Sequence, residues 1–282
     1  MLSYRHAFHA GNHADVLKHY LLIELLAYYS RKDKPWSYID THAGAGCYAL
    51  DGEQAAKNAE FDSGIARLWN DRENLPEPLR PYLAAVAQFN PHGKLLFYPG
   101  SPALAMTQAR EHDKLRLFEM HPADAELLQQ TFAREADQVQ VRRSDGFAGL
   151  RGLLPPPSRR AVVLIDPPYE VKDDYRRVID TLKDAMKRFA SGTYVVWYPL
   201  LARPEARQLP ERLAELGAES WLDVRLAVKG PSPDGFGMFG SGLFVINPPW
   251  VLPERLEVVM PWLVRALGED ENAGFDLEHH IE

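Results

Sequence analysis

The sequence predicts an α/β fold built on a mainly parallel sheet, and three features carry that prediction. Short apolar runs recur along the chain, namely Trp36-Ser37-Tyr38-Ile39-Asp40, Lys114-Leu115-Arg116-Leu117-Phe118, Val139-Gln140-Val141 and Ala161-Val162-Val163-Leu164-Ile165. Segments with helical spacing lie between them, and each run ends in a turn containing Gly or Pro. The fourth run is apolar throughout and rich in β-branched residues, the composition of a strand covered on both faces. A chain of 282 residues, 46% of them apolar, fits one elaborated domain with a full core.

Taken in order, the chain opens with a dense polar stretch that includes Tyr4, Arg5, His6, His9, Asn12, His13, Asp15, Lys18 and His19. Val16, Leu17, Leu21, Leu22, Leu25 and Leu26 recur at helical spacing and predict an amphipathic helix over 14–29, with Asn12 as its N-cap. His6, His9 and His13 are spaced so that a metal-ligand reading exists, but no cysteine cluster or HExxH-type motif accompanies them. After the first strand comes Thr41-His42-Ala43-Gly44-Ala45-Gly46, a tight small-residue turn that lets a nucleotide-like ligand approach the backbone. The third glycine of the dinucleotide fingerprint and the Lys-Ser/Thr of a phosphate loop are both missing, which favours a cofactor without a pyrophosphate, such as S-adenosylmethionine.

From 51 to 91 helical stretches alternate with prolines 76, 78 and 81 and no strand signal appears, so this segment is expected to be a helical subdomain inserted into the α/β domain of 1–50 and 92–268. The α/β pattern resumes at Leu95-Leu96-Phe97-Tyr98, followed by Pro99-Gly100-Ser101 and a helix. Glu119 stands at the tip of the next strand, where nucleoside-binding sheets hold ribose hydroxyls. Asp145 and Gly146 follow the strand after that, placed to read an adenine amino group of the cofactor. Further strands are expected at 192–198 and 243–246, around a helix at 204–216 and a Gly/Pro-rich loop at 229–242.

The chemistry concentrates in Asp166-Pro167-Pro168-Tyr169, directly after the fourth run. Neither proline can donate to a ladder, so the chain must leave the sheet here, at the carboxyl end where open α/β sheets place ligands. The Asp166 carboxylate and the Pro167 carbonyl can accept both hydrogens of an exocyclic amine and aim its lone pair at an electrophile, while the Tyr169 ring can stack on a planar base. The tetrapeptide resembles the [DN]-P-P-[YFW] signature of amino-group methyltransferases that use S-adenosylmethionine. A near-copy, Asn247-Pro248-Pro249-Trp250, follows the apolar run Leu243-Phe244-Val245-Ile246. Chain order separates the two. The glycine turn, Glu119, Asp145 and Asp166 end four successive strands of one parallel sheet, whereas the near-copy is expected to end a closing antiparallel strand, away from the site.

The net charge of −7 argues against a protein that coats nucleic acid. Between 142 and 188, however, 11 Lys and Arg face 7 Asp and Glu, a balance of +4 around the Pro-Pro loop. The acids gather instead in the segment 269–282, expected to be a tail. A single cysteine, Cys47, excludes an internal disulfide and fits a reducing, cytoplasmic setting. No signal-peptide core and no apolar run long enough to span a bilayer is found, so no membrane partner is expected. The stretch 170–174 is expected to be mobile.

The opening Met1-Leu2-Ser3-Tyr4-Arg5-His6, then Phe8-His9-Ala10-Gly11-Asn12-His13-Ala14-Asp15-Val16-Leu17-Lys18-His19, is highly specific. With Asp40-Thr41-His42-Ala43-Gly44-Ala45-Gly46, Tyr98-Pro99-Gly100-Ser101-Pro102, Ser144-Asp145-Gly146-Phe147, Leu164 to Glu170, Trp197-Tyr198-Pro199 and the near-copy, it resembles the bacterial 23S ribosomal RNA adenine-N6 methyltransferases that modify adenine 2030, also named from genetics as external-DNA-utilisation proteins. The likeness runs from residue 1 to about 267. It implies a Rossmann-like class I S-adenosylmethionine-dependent methyltransferase with an inserted small helical subdomain, no metal, 23S ribosomal RNA as partner and no obligatory protein partner. It further implies cofactor contacts by Lys18, His19, His42, Gly44, Ser101, Glu119, Asp145, Gly146 and Asp166. Asp166 would be the catalytic acceptor, with Tyr4, Pro167 and Tyr169 on the substrate.

Overall fold

A computed structural model describes residues 5–281, so Tyr4 lies outside the described residues. The chain runs α1 (His13–Ser30), β1 (Ser37–Asp40), β2 (Cys47–Ala49), α2 (Glu53–Asn58), α3 (Ile65–Asn70), α4 (Arg80–Gln88), β3 (Phe97–Pro99), α5 (Ser101–Gln108), β4 (Lys114–Phe118), α6 (Pro122–Thr131) and β5 (Val139–Arg142). It continues with α7 (Gly146–Leu150), β6 (Ala161–Ile165), α8 (Asp173–Arg188), β7 (Thr193–Leu200), α9 (Pro204–Ala214), β8 (Trp221–Ala227), β9 (Gly240–Ile246), α10 (Leu252–Leu267) and β10 (Gly274–His280).

Eight strands form one sheet in the order β10-β8-β9-β7-β6-β1-β4-β5. From β5 across to β7 every pairing is parallel, whereas β9 runs antiparallel to both of its neighbours. β1 therefore sits between β4 and β6, two strands far from it in sequence, and the carboxyl ends of β5, β4, β1 and β6 share one edge. One hydrophobic cluster covers each face: α1, α5, α10 and the inserted helices build the first around Tyr20, Trp36 and Tyr82, and α8 and α9 build the second around Tyr169, Tyr175 and Tyr194. Asn12 caps α1 by accepting from the amides of Ala14 and Asp15, both at 3.0 Å.

Four features differ from the sequence expectation. The strand near 95–98 stands outside the main sheet, because Phe97–Pro99 pairs antiparallel with Cys47–Ala49 in a separate two-stranded ribbon. The inserted helical segment is no lobe apart: Leu68, Leu79, Tyr82 and Val86 are fully buried in the same cluster as α1 and α10. β8 is an additional strand, so the near-copy motif follows three strands after the Asp-Pro-Pro-Tyr loop. The acidic stretch is not a free tail: residues 274–280 pair with β8 as the outermost strand, and Arg225 reaches across to Glu278. The antiparallel course of β9 delivers Asn247 to the sheet edge opposite Asp166, as chain order had indicated.

Candidate active site

A cavity of about 370 Å³ opens at the carboxyl ends of β1, β4, β6 and β7. Eight residues expected at the site line it: Lys18, His19, His42, Gly44, Ser101, Glu119, Asp166 and Pro167. A second cavity of about 230 Å³ adjoins it and contains Tyr169. His6, Lys18, Asp166, Pro168 and Trp197 line both, so Asp166 stands on the wall that the two compartments share.

The glycine turn makes the floor. Gly44 has φ +62°, and a side chain there would put its Cβ 2.2 Å from the Tyr48 hydroxyl. Its amide donates to Glu119 Oε2 at 2.9 Å, and the His121 amide donates to Oε1 at 2.7 Å. Glu119 thus spans the tips of β1 and β4, and burial raises its carboxyl above the usual carboxylate range. Behind the turn lies Asp40, fully buried, which accepts from the hydroxyls of Ser101 and Tyr38 at 2.7 Å each and from the His42 amide at 3.1 Å. Burial pushes Asp40 up as well.

Asp145 and Gly146 do not line the cavity; they hold its wall. Asp145 caps α7 by accepting from the Phe147 amide at 2.9 Å and is ion-paired with Arg177, a residue that does face the cavity. A Cβ at Gly146 would fall 2.0 Å from the Thr41 carbonyl oxygen. Gly146→Ala is therefore expected to push α7 off the glycine turn and to cost about 1–3 kcal/mol, read from urea denaturation as a lower midpoint at unchanged slope.

The first helix supplies a buried charge relay to the site. Lys18 Nζ donates to Asp166 Oδ2 at 2.5 Å and lies 2.9 Å from Asp15 Oδ1, with only 6% of its side chain exposed. Asp15 also accepts from the Gly11 amide at 2.9 Å and bonds His6 Nε2 at 2.8 Å. Burial opposes the charge on both Lys18 and Asp15. The two carboxylates nonetheless hold Lys18 above the usual lysine range, and His6 and Lys18 hold Asp15 well below its own. His19, 1% exposed, hydrogen-bonds the Tyr98 hydroxyl at 2.7 Å, and burial pushes it down to about 3.

Tyr169 is buried, with φ +50°, and its hydroxyl donates to the Trp197 carbonyl at 2.8 Å. Its ring packs 4.6 Å from that of Tyr175. The N-terminal histidines do not converge: His6 bonds Asp15, His9 bonds Glu60 and His13 is buried among other groups. Among the described residues no group of three or more His, Cys, Asp or Glu is placed to hold a metal ion.

Sequence reasoning gave no site role to Asp40, Trp197 or Arg177, although the first two stand in motifs that carry the family likeness. Asp40 carried a signal, an acid ending the first parallel strand, whereas the places of the other two in the site follow only once β7 and α8 are packed beside the loop.

The strand order, the parallel run from β5 to β7 with β9 reversed beside it, and a cofactor-sized cavity at the carboxyl edge define a class I methyltransferase fold. The model for the family described as Ribosomal RNA large subunit methyltransferase D, RlmJ, matches residues 33–280, and the chain belongs to that family. The match runs through β10, beyond the 267 or so residues over which the motifs carried the likeness. The chain is 46% identical over 263 residues to the Ribosomal RNA large subunit methyltransferase J of Escherichia coli, covering 93% of each chain. It is 41% identical over 279 residues to the protein of the same name from Haemophilus influenzae, covering 99% and 98%. The crystal structure of protein LPL1258 from Legionella pneumophila superposes with a TM-score of 0.89 at 36% identity, covering 96% of this chain and 98% of that one.

Proposed function

We propose that the protein transfers a methyl group from S-adenosylmethionine to the N6 amine of one adenine in 23S ribosomal RNA, adenine 2030, in the cytoplasm. The observation that carries this is the position of Asp166 on the wall between the two cavities. Membership of the family and the names of its bacterial relatives support the substrate class.

The larger cavity suits the cofactor. Its floor admits close backbone approach at Gly44, Glu119 stands where a ribose would lie, and the ring nitrogens His121 Nδ1 and Trp197 Nε1 on its lining are buried without a hydrogen-bond partner. When bound, S-adenosylmethionine supplies an electrophilic methyl on a cationic sulfur. The smaller cavity takes the target base, splayed from its RNA stack, against Trp197, with the buried Tyr169 ring backing that wall rather than offering a face of its own. Asp166 and the Pro167 carbonyl accept the two amine hydrogens and turn the nitrogen lone pair toward the methyl group. Lys18, itself fixed by Asp15, holds the Asp166 carboxylate in position, so most of the rate comes from alignment and preorganised polarity. Asp145 and Gly146 act through the wall they support, and Tyr4 is assigned to the RNA side.

The test is transfer of labelled methyl to protein-free 23S ribosomal RNA that lacks this modification, followed by digestion to nucleosides. Label in N6-methyladenosine at one site is expected. Label on DNA and none on RNA would keep the chemistry and overturn the substrate.

A further inference from the structure

The second Pro-Pro motif, set aside by the catalytic site, borders a different cavity. At the opposite edge of the sheet, where β6 and β7 begin and β9 ends, lies a cavity of about 640 Å³. Arg31 and Lys32 reach it from the end of α1, Arg159 and Arg160 from the turn before β6, and Trp250 from the turn after β9. Among the described residues four cations line it and no carboxylate does, in a chain whose net charge is −7. The nearby acid Asp33 lies 3.9 Å from Arg110.

The lining is built, not incidental. The Arg160 guanidinium lies 5.0 Å over the Tyr29 ring and donates to the carbonyls of Tyr29 at 2.6 Å and Lys34 at 2.5 Å. Arg31 lies 5.2 Å over the Tyr28 ring. Asn247 holds the turn: its amide donates to the carbonyls of Ala190 and Gly192, both at 2.7 Å. That turn presents Trp250 with 69% of its surface exposed beside these cations.

We propose that this cavity is a second nucleic-acid contact, in which one unpaired base of the RNA substrate stacks on Trp250 while Arg31, Lys32 and Arg159 take the neighbouring phosphates. Exposed aromatic surface interleaved with cations suits a single strand better than a protein partner, since any base offers a π-face and each phosphate offers a charge. The strands between the two edges are 4 to 8 residues long. At about 3.3 Å per residue they separate the edges by roughly 13–26 Å. At roughly 3.4 Å per nucleotide an RNA strand bridges that gap with about 4 to 8 nucleotides between the two contacts. This rests on the RNA reading above, and the two are tested separately.

The probes are a ten-nucleotide single-stranded RNA, followed by quenching of tryptophan fluorescence, and a 23S ribosomal RNA fragment, followed by binding across a salt series and by methylation kinetics. Trp250→Ala is expected to remove most of the quenching by the short RNA and to weaken fragment binding about tenfold. Lys32→Gln is expected to lower the slope of log affinity against log salt by about 0.7. In both variants KM for RNA rises while kcat at saturating RNA is retained. Wild-type protein that methylates the fragment, with variants indistinguishable from it in affinity and salt slope, would overturn this inference alone. Wild-type protein that methylates no RNA, while Trp250→Ala still loses the short strand, would overturn the proposed substrate and leave the nucleic-acid contact standing.

Discussion

Asp166→Ala is expected to lower kcat for methyl transfer by at least about a hundredfold, the usual consequence of deleting one preorganised polar group at a reacting atom. Cofactor affinity should change by no more than a few fold, because Gly44, Ser101 and Glu119 are held by bonds that do not involve Asp166. The substitution leaves Lys18 buried with Asp15 as its remaining carboxylate, so some loss of stability accompanies it. Asp166→Asn separates that effect from chemistry: it keeps the acceptor oxygen that the [DN] signature tolerates and should recover part of the rate. Calorimetric titration with S-adenosylmethionine and single-turnover methylation are the two readouts. Turnover like wild type in the alanine variant would remove Asp166 from the mechanism.

The second large effect concerns acid. His13 and His19 are buried, and burial pushes them down to about 4 and about 3. In the unfolded chain both titrate near the ordinary histidine value of about 6.5. Between the folded and unfolded values the unfolded chain binds more protons, so stability falls as pH is lowered through that window. From pH 7 to pH 5 each histidine is expected to cost about 2 kcal/mol, at about 1.4 kcal/mol per unit below the unfolded value. Asp15 and its low folded value add a loss only below the ordinary carboxylate range, so it does not contribute at pH 5. Urea midpoints at pH 7 and pH 5 measure the difference. Replacing His19 by Gln, which keeps a hydrogen-bonding group opposite Tyr98, should take its own share of about 2 kcal/mol out of the difference between pH 7 and pH 5, and an unaltered difference would count against the buried-neutral assignment.

What the sequence revealed and what it concealed divide along a physical line. Glu119, Asp166 and the glycine turn were legible because each ends a run of strand residues, and ends of parallel strands on one edge converge whatever the details of packing. Trp221–Ala227 carried the period of two, with Leu222, Val224 and Leu226 facing inward, yet Asp223 and Arg225 disguised it. Asp223 is tolerated because it accepts from the Tyr198 hydroxyl and lies 3.2 Å from Arg225. The outermost strand was hidden the same way: Asp276 and Glu278 read as solvated tail, and only the neighbouring Arg225 gives them a cross-strand partner. The Asp15–Lys18 pair was visible as an i, i+3 spacing, but its target, Asp166, is a fact of tertiary structure.

The place of β1 between β4 and β6 has a consequence for how the protein is made. The bond from Lys18 to Asp166 joins residues 148 apart in the chain. As the polypeptide leaves the ribosome, β1 waits for both of its flanking strands, and the lysine and aspartate of the first helix wait with it, unable to be buried cheaply until residue 166 arrives. Non-local pairings of this kind are slow to form, and the central strand here acquires both partners only after more than half of the chain has been synthesised. A truncated nascent chain therefore carries the most distinctive segment of the sequence and no site at all. Competence for the reaction arrives late, when the sheet closes around its oldest strand.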